Sequence, residues 1–87
     1  MSAAPYVNSM TVLKAFAPYF INDDRTGLED IELTQLDAFV ERETAGLVGH
    51  WSYRTEDFDD TWFTTDDVTG LKGDCFTLEF VVMRQAA

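Results

Sequence analysis

Apolar and polar residues alternate through much of the second half of the chain, and this alternation is typical of strands with one buried face. In segment 75–84, CFTLEFVVMR, the apolar residues at every second position are Phe76, Leu78, Phe80 and Val82. Segment 49–54, GHWSYR, shows the same alternation with Trp51 and Tyr53. We therefore predict a strand in each segment.

A turn-rich segment, TGLKGD (69–74), precedes the last predicted strand. Glycine adopts positive φ without steric cost, so Gly70 or Gly73 can form the tight connection that a hairpin needs. The pattern predicts a hairpin between the last strand and a strand within residues 61–68.

The period changes to that of an amphipathic helix over residues 30–44. The apolar stripe of this helix consists of Leu33, Leu36, Phe39 and Val40. Glu29 and Glu32 lie near its amino end, where each carboxylate contributes about 0.3–1 kcal/mol through the helix dipole. Gly46 and Gly49 are expected to end the helix.

A shorter helix is predicted near the start of the chain, with Ser9 as its N-cap. The apolar residues at helical spacings are Val12, Leu13, Phe16 and Phe20. Pro18 is expected to end regular helix at Ala17, because proline lacks an N–H and restricts the residue before it. The turn formers NDDRTG (22–27) predict an exposed loop before the next helix.

These elements predict an α+β fold in which an antiparallel sheet of three or four strands packs against one or two helices. The 87 residues suffice for one modest core, so residues 1–87 are predicted to form a single domain. Hydrophobic residues make up 46% of the chain, which is well above the content of disordered chains.

The formal net charge is -10, from 16 acidic and 6 basic residues. It disfavours direct binding to nucleic acid or to an anionic membrane surface and favours a basic protein partner. Lys14 and Pro18 interrupt the apolar residues of the first twenty positions, so neither a signal peptide nor a membrane span is expected there. Cys75 is the one cysteine, which excludes an internal disulfide and predicts a reducing compartment, the cytoplasm.

No arrangement of residues indicates catalysis, a cofactor or a metal site. A calcium loop starting at Asp57 would need Gly at its sixth position and Glu at its twelfth, where the chain has Trp62 and Val68. His50 and Cys75 are the minimum for a base and a nucleophile, but a surface histidine and a small buried hydrophobe are the simpler interpretation. We predict that the protein is not an enzyme, and an enzyme or metal protein built on His50, Cys75 or the cluster of aspartates in residues 57–67 is the third alternative.

Segment 55–68, TEDFDDTWFTTDDV, concentrates acidic and aromatic residues without a lysine or arginine. One interpretation is structural: its aromatic residues pack inside or cover an edge strand, and its acids discourage edge-to-edge pairing. The functional interpretation is a recognition surface for a basic partner, anchored by Phe58 or Trp62. The candidate partner-binding residues are Asp23, Asp24, Glu56, Asp57, Phe58, Asp59, Asp60, Trp62, Asp66 and Asp67.

Charge spacing limits what this segment can imitate. If residues 56–67 are extended, they span roughly 40 Å and carry one acid per roughly 7 Å, whereas B-DNA has one charge per about 1.7 Å. Imitation of a duplex would then require the acids from Asp23 to Glu32 to lie beside this segment.

The helix TGLEDIELTQLDAFV (26–40) followed by the acidic, strand-rich segment 49–81 resembles small acidic accessory proteins of phages and plasmids, some of which are anti-CRISPR or anti-restriction inhibitors. The resemblance implies a non-enzymatic inhibitor, in the cytoplasm of a bacterial host cell, that occupies a basic nucleic-acid-binding surface of a host defence complex. The alternative is a self-assembling structural subunit, such as a homodimer formed through the aromatic strands, whose acids serve solubility.

Overall fold

The computed structural model of the protein describes residues 6–86, which form a four-stranded antiparallel sheet and three α-helices. The strands are β1 (Tyr6–Leu13), β2 (Leu47–Ser52), β3 (Trp62–Thr65) and β4 (Lys72–Gln85). The helices are α1 (Ala17–Asn22), which follows a 3-10 turn over Lys14–Phe16, α2 (Asp30–Thr44) and α3 (Thr55–Asp59). The predicted α+β class is confirmed.

Strand β4 is the centre of the sheet and pairs with each of the other three strands. Its predicted alternation is confirmed, because the four apolar residues at alternate positions are all buried: Phe76, Leu78, Phe80 and Val82. The predicted hairpin is also confirmed, since β3 pairs with β4 from Thr65 opposite Lys72 to Trp62 opposite Cys75. Gly70, with a φ of 75°, provides the left-handed residue in the connection.

The first element is a strand, and the prediction of a helix starting at Ser9 was wrong. Residues 6–13 pair along their whole length with β4, and Val12 is buried opposite Phe76. The helical spacing was misleading because it joined residues of β1 to residues of the helical turns that follow. Pro18 lies in the first turn of α1, where its missing N–H needs no acceptor, so this proline begins the helix.

Helix α2 has the predicted bounds, and its start is fixed by a capping box. The Glu29 side chain accepts the N–H of Glu32, and the Glu32 side chain accepts the N–H of Glu29. Leu36 and Phe39 are the side chains that α2 buries in the core. Gly46, with a φ of 73°, follows the end of the helix as predicted, whereas Gly49 lies inside β2.

The core lies between the inner face of the sheet and helices α1 and α2. One cluster of buried hydrophobic residues forms it: Val12, Phe16, Ala17, Tyr19, Phe20, Leu36, Phe39, Phe76 and Leu78. Phe20 is central among the aromatic rings, with its centroid 4.9 Å from that of Trp51 and 6.5 Å from that of Phe39. Such edge-to-face and tilted pairs add about 0.5–1.5 kcal/mol each to the stability gained by burial.

Candidate functional site

Helix α3 organises the acidic segment around one inward-facing aromatic ring. Phe58 stacks on Tyr53, with ring centroids 4.8 Å apart, and meets Phe76 edge-on at 5.1 Å. The N–H of Phe58 donates to the Arg54 carbonyl, and the N–H of Asp60 donates to the Glu56 carbonyl, which closes the single turn. Because Phe58 holds one side of this turn against the core, the acids on either side of it are directed outward.

Four carboxylates surround Phe58 in sequence, and we refer to them as the acidic turn: Glu56, Asp57, Asp59 and Asp60. Asp57 is half-buried and the other three are exposed. Within residues 6–86, none of the four makes a side-chain hydrogen bond or an ion pair with a basic side chain. Their negative charge is therefore left for solvent or for a partner.

The helical conformation makes the acidic turn denser than an extended chain would be. A helix rises about 1.5 Å per residue, so the five residues from Glu56 to Asp60 cover only about 7.5 Å. This gives roughly one carboxylate per 2 Å along the turn, which is close to the charge spacing of B-DNA. The spacing calculated above for an extended chain therefore does not apply to this turn, although one turn imitates only a few phosphates.

Asp66 does not belong to a binding surface, and its inclusion among the partner-binding residues was wrong. The residue is 1% exposed. Its Oδ1 accepts hydrogen bonds from the N–H of Val68 at 2.9 Å and from the N–H and hydroxyl of Thr69 at 2.5 and 3.0 Å. Its Oδ2 accepts the N–H of Leu13 at 2.8 Å. A buried carboxylate with both oxygens occupied cannot reach a partner.

Asp67 is exposed but also has a structural contact. Its Oδ2 accepts the N–H of Thr11 at 2.8 Å, and its own N–H donates to the Thr11 carbonyl at 2.9 Å. These bonds attach the β3–β4 connection to β1.

Of the two aromatic candidates, Phe58 is partly buried and Trp62 is exposed. Phe58 is held by the core, so Trp62, at 44% exposure, is the proposed anchor with a free ring surface. Phe63 follows it and is 70% exposed, so it does not pack inside, which was one of the two positions that the structural interpretation allowed for the aromatic residues. Phe63 lies opposite Asp74 in the hairpin, beyond the part of the sheet that the core cluster covers.

Asp23 and Asp24 follow the end of α1. Asp23 caps the helix in the left-handed conformation, with a φ of 52°. Asp24 accepts the hydroxyl and the N–H of Thr26, and these hydrogen bonds lower the pKa of the Asp24 carboxyl. Asn22 and Phe58 line the same groove, so the end of α1 and α3 both border this groove. The two loop acids therefore follow a helix that shares a groove with α3.

The groove itself was not predicted from the sequence. It has a volume of about 750 Å³ and lies between α1, α3 and the first residues of β4. Leu13, Ile21 and Tyr53 contribute apolar side chains to its lining, and Lys14 and Lys72 also line it. No local pattern indicated this site, because residues from four separate segments form it.

The Asp37 carboxylate is paired with other side chains of the fold. Arg25 donates to both of its oxygens, at 2.9 and 2.7 Å, and the Tyr19 hydroxyl also donates to it. The hydrogen bonds from Arg25, followed by that from Tyr19, lower the pKa of Asp37 to about 2. Burial, followed by the hydrogen bond to Asp37, raises the pKa of Tyr19 to about 12. The three side chains connect α1, the following loop and α2.

This cluster predicts a pH-dependent contribution to stability. The folded-state pKa of Asp37 is below its unfolded value of about 3.9, so its contribution is complete above about pH 4 and is lost as the pH falls towards 2. We expect Asp37→Asn to lower the free energy of unfolding at pH 7 and to have much less effect at pH 2.5. Urea unfolding of both proteins at pH 7, 4 and 2.5 measures the difference, and Glu41→Gln on the same helix is the control. Equal losses at all three pH values would contradict the assignment.

His50 and Cys75 do not form a catalytic pair. His50 is exposed on β2 and lies opposite Val81, which is six residues along β4 from Cys75, or about 20 Å. Cys75 is buried, and burial, with a smaller effect of the Asp66 charge, raises the pKa of its thiol. Over residues 6–86, no group of three or more His, Cys, Asp or Glu side chains is arranged to hold a metal ion.

Comparison with known proteins assigns the chain to a family. The family model described as a domain of unknown function, DUF6926, matches residues 13–83, so the chain belongs to this family. Neither the comparison with curated proteins nor that with solved structures returned a match. In the part of the chain that the structure describes, every helix is too short or too polar to cross a membrane.

Proposed function

We propose that this family member is a non-enzymatic binding module that recognises a basic protein surface through its acidic turn. One observation carries the proposal: the four carboxylates of the acidic turn have no intramolecular partner within residues 6–86. Some other acids have a basic neighbour within the fold, as Asp37 has Arg25 and Glu79 has Arg54. A lysine or arginine cluster on a partner would form ion pairs with these free carboxylates.

The shape of the surface supports a compact basic patch as the target. Binding surfaces gain most of their energy from a few buried aromatic or arginine anchors within a polar rim. Trp62 lies two residues after Asp60 and is 44% exposed, so it provides an anchor next to the charges. The acidic turn has a charge spacing close to that of B-DNA over about 7.5 Å. These features favour a nucleic-acid-binding protein as the partner, and we propose one of the cytoplasm, such as a host defence complex.

Charge neutralisation in the acidic turn tests the proposal. The protein is immobilised and exposed to a nuclease-treated bacterial lysate, and the affinity of each recovered nucleic-acid-binding protein is measured at low and high salt. We expect Asp59→Asn combined with Asp60→Asn to weaken binding about tenfold, since each charge at an exposed rim contributes about 0.2–1 kcal/mol. Added duplex DNA is expected to displace the partner from the unaltered protein.

The control changes the net charge by the same amount at another place. Glu41→Lys raises the net charge by two, as the double variant does, but lies on the exposed side of α2. We expect this variant to bind almost normally. Equal weakening by both variants would show that overall charge, and not the acidic turn, determines binding. Recovery of no nucleic-acid-binding protein at any salt concentration would remove the proposal.

Self-association through β3 is the second candidate function, and the exposed rings of Phe63 and Trp62 favour it. The two side chains are consecutive on β3 and point to opposite faces of the sheet, and the more exposed, Phe63, is the kind of apolar surface that a second copy can cover. In this case the acids would serve solubility. Light scattering on the unaltered protein at high micromolar concentration distinguishes the two functions, because a strict monomer removes the second and leaves the first.

A further inference from the structure

The groove between α1, α3 and β4 contains both lysines of the chain. Lys14 and Lys72 are far apart in the sequence, and each lines this one groove. Within residues 6–86, neither lysine has a carboxylate within ion-pair distance, whereas Arg25, Arg42 and Arg54 each do. In a protein with a net charge of -10, the free ammonium groups are therefore concentrated at an apolar surface.

The walls of the groove match a ligand with an apolar body. Leu13 and Ile21 provide aliphatic surface, and Tyr53 and Phe58 provide stacked aromatic rings. The Lys14 Nζ lies 4.4 Å from the centroid of the Phe58 ring, so a cation–π contact holds one positive charge directly over the aromatic wall. A volume of about 750 Å³ is within the range of roughly 300–1,000 Å³ that is usual for small-molecule sites.

Charge complementarity limits the ligand to a single negative charge. Asp74 also lines the groove, so the two lysines exceed the acids of the lining by one charge. Phe58 is flanked in sequence by the acidic turn, whose four carboxylates repel nucleotides and other polyanions that approach this end of the groove. A small monoanion with a large apolar part is repelled less than a polyanion. It can also contact both the lysines and the apolar walls of the groove.

We infer that this groove binds a small monocarboxylic acid with an apolar body, such as a medium-chain or aromatic acid. The carboxylate lies between the ammonium groups of Lys14 and Lys72, and the apolar body covers Leu13 and Ile21. The inference is independent of the proposed function, because it requires no basic protein partner and uses the carboxylates of α3 only to exclude polyanions.

Calorimetric titration with sodium decanoate and decanol tests the assignment. We expect decanoate to bind at least tenfold more tightly than decanol. Lys14→Gln combined with Lys72→Gln is expected to weaken decanoate binding at least tenfold and to leave decanol binding unchanged. Lys14→Arg combined with Lys72→Arg keeps both charges and is expected to retain most of the affinity.

The matched control removes two positive charges outside the groove. Arg42→Gln combined with Arg84→Gln is expected to change decanoate affinity by less than twofold. Chemical shifts locate the ligand, and we expect the largest changes at Tyr53 and Phe58. Equal binding of decanoate and decanol, tighter binding of ATP, shifts centred on Phe63, or no binding at millimolar decanoate would each overturn the inference.

Discussion

Replacing Asp66 with alanine is expected to lower the free energy of unfolding by about 4 kcal/mol, although the residue lies in a connection between strands. The carboxylate accepts four hydrogen bonds, three of them from backbone N–H groups. Hydrogen bonds to a charged group contribute about 1.5–3 kcal/mol each, and a buried donor left without an acceptor costs about 1–3 kcal/mol. The expected loss is smaller than the sum of these contributions, because water can reach part of the loop and replace some of the lost hydrogen bonds.

Two further substitutions separate this effect from a general loss of charge. Asp66→Asn keeps one acceptor oxygen but directs an amide group towards a donor, so we expect a smaller loss, of about 2 kcal/mol. Asp67→Ala removes one exposed hydrogen bond to Thr11 and is expected to cost about 1 kcal/mol. Urea unfolding monitored by tryptophan fluorescence and circular dichroism measures all three. A loss for Asp66→Ala no larger than that for Asp67→Ala would show that the buried carboxylate is not the residue that holds this connection.

The predictable parts of the fold are those in which the pattern of one continuous segment is enough to determine its conformation. β4 could be recognised because every second side chain, from Phe76 to Val82, is buried in the same core. α2 could be recognised because its apolar stripe and its capping residues lie within one continuous segment. β1 could not be distinguished from a helix, because Val12 and Phe16 satisfy a helical spacing by chance and strand pairing with β4 decides the conformation.

The candidate site depended more strongly on contacts that the sequence does not display. The burial of Asp66 follows from its bond to the N–H of Leu13, a group in a distant strand. The convergence of Lys14 and Lys72 requires the turn after β1 and the start of β4 to border the same groove. By contrast, the exposure of Glu56, Asp59 and Asp60 was predictable, because unpaired carboxylates are rarely buried.

Replacing Gly49 with alanine is expected to lower the free energy of unfolding by about 3 kcal/mol. A Cβ atom at this position would lie 2.2 Å from the Val81 carbonyl oxygen and 2.9 Å from a ring carbon of Phe80. The first of these atoms belongs to the backbone of the central strand, so it cannot move without separating β2 from β4. The pairing register shifts between Val48 and Gly49, and this bulge brings Gly49 against the neighbouring strand.

Gly46→Ala is the matched control, because it adds the same methyl group three residues earlier. The Gly46 position has open space but a φ of 73°, so the substitution costs only the left-handed strain of about 1–2 kcal/mol. We expect Gly49→Ala to be the more destabilising of the two and to expose backbone amides of β2 and of residues 79–85 to hydrogen exchange. Protection of these amides at the level of the unaltered protein would mean that β2 accommodates a methyl group, and that the close approach to Val81 does not determine the register of this edge strand.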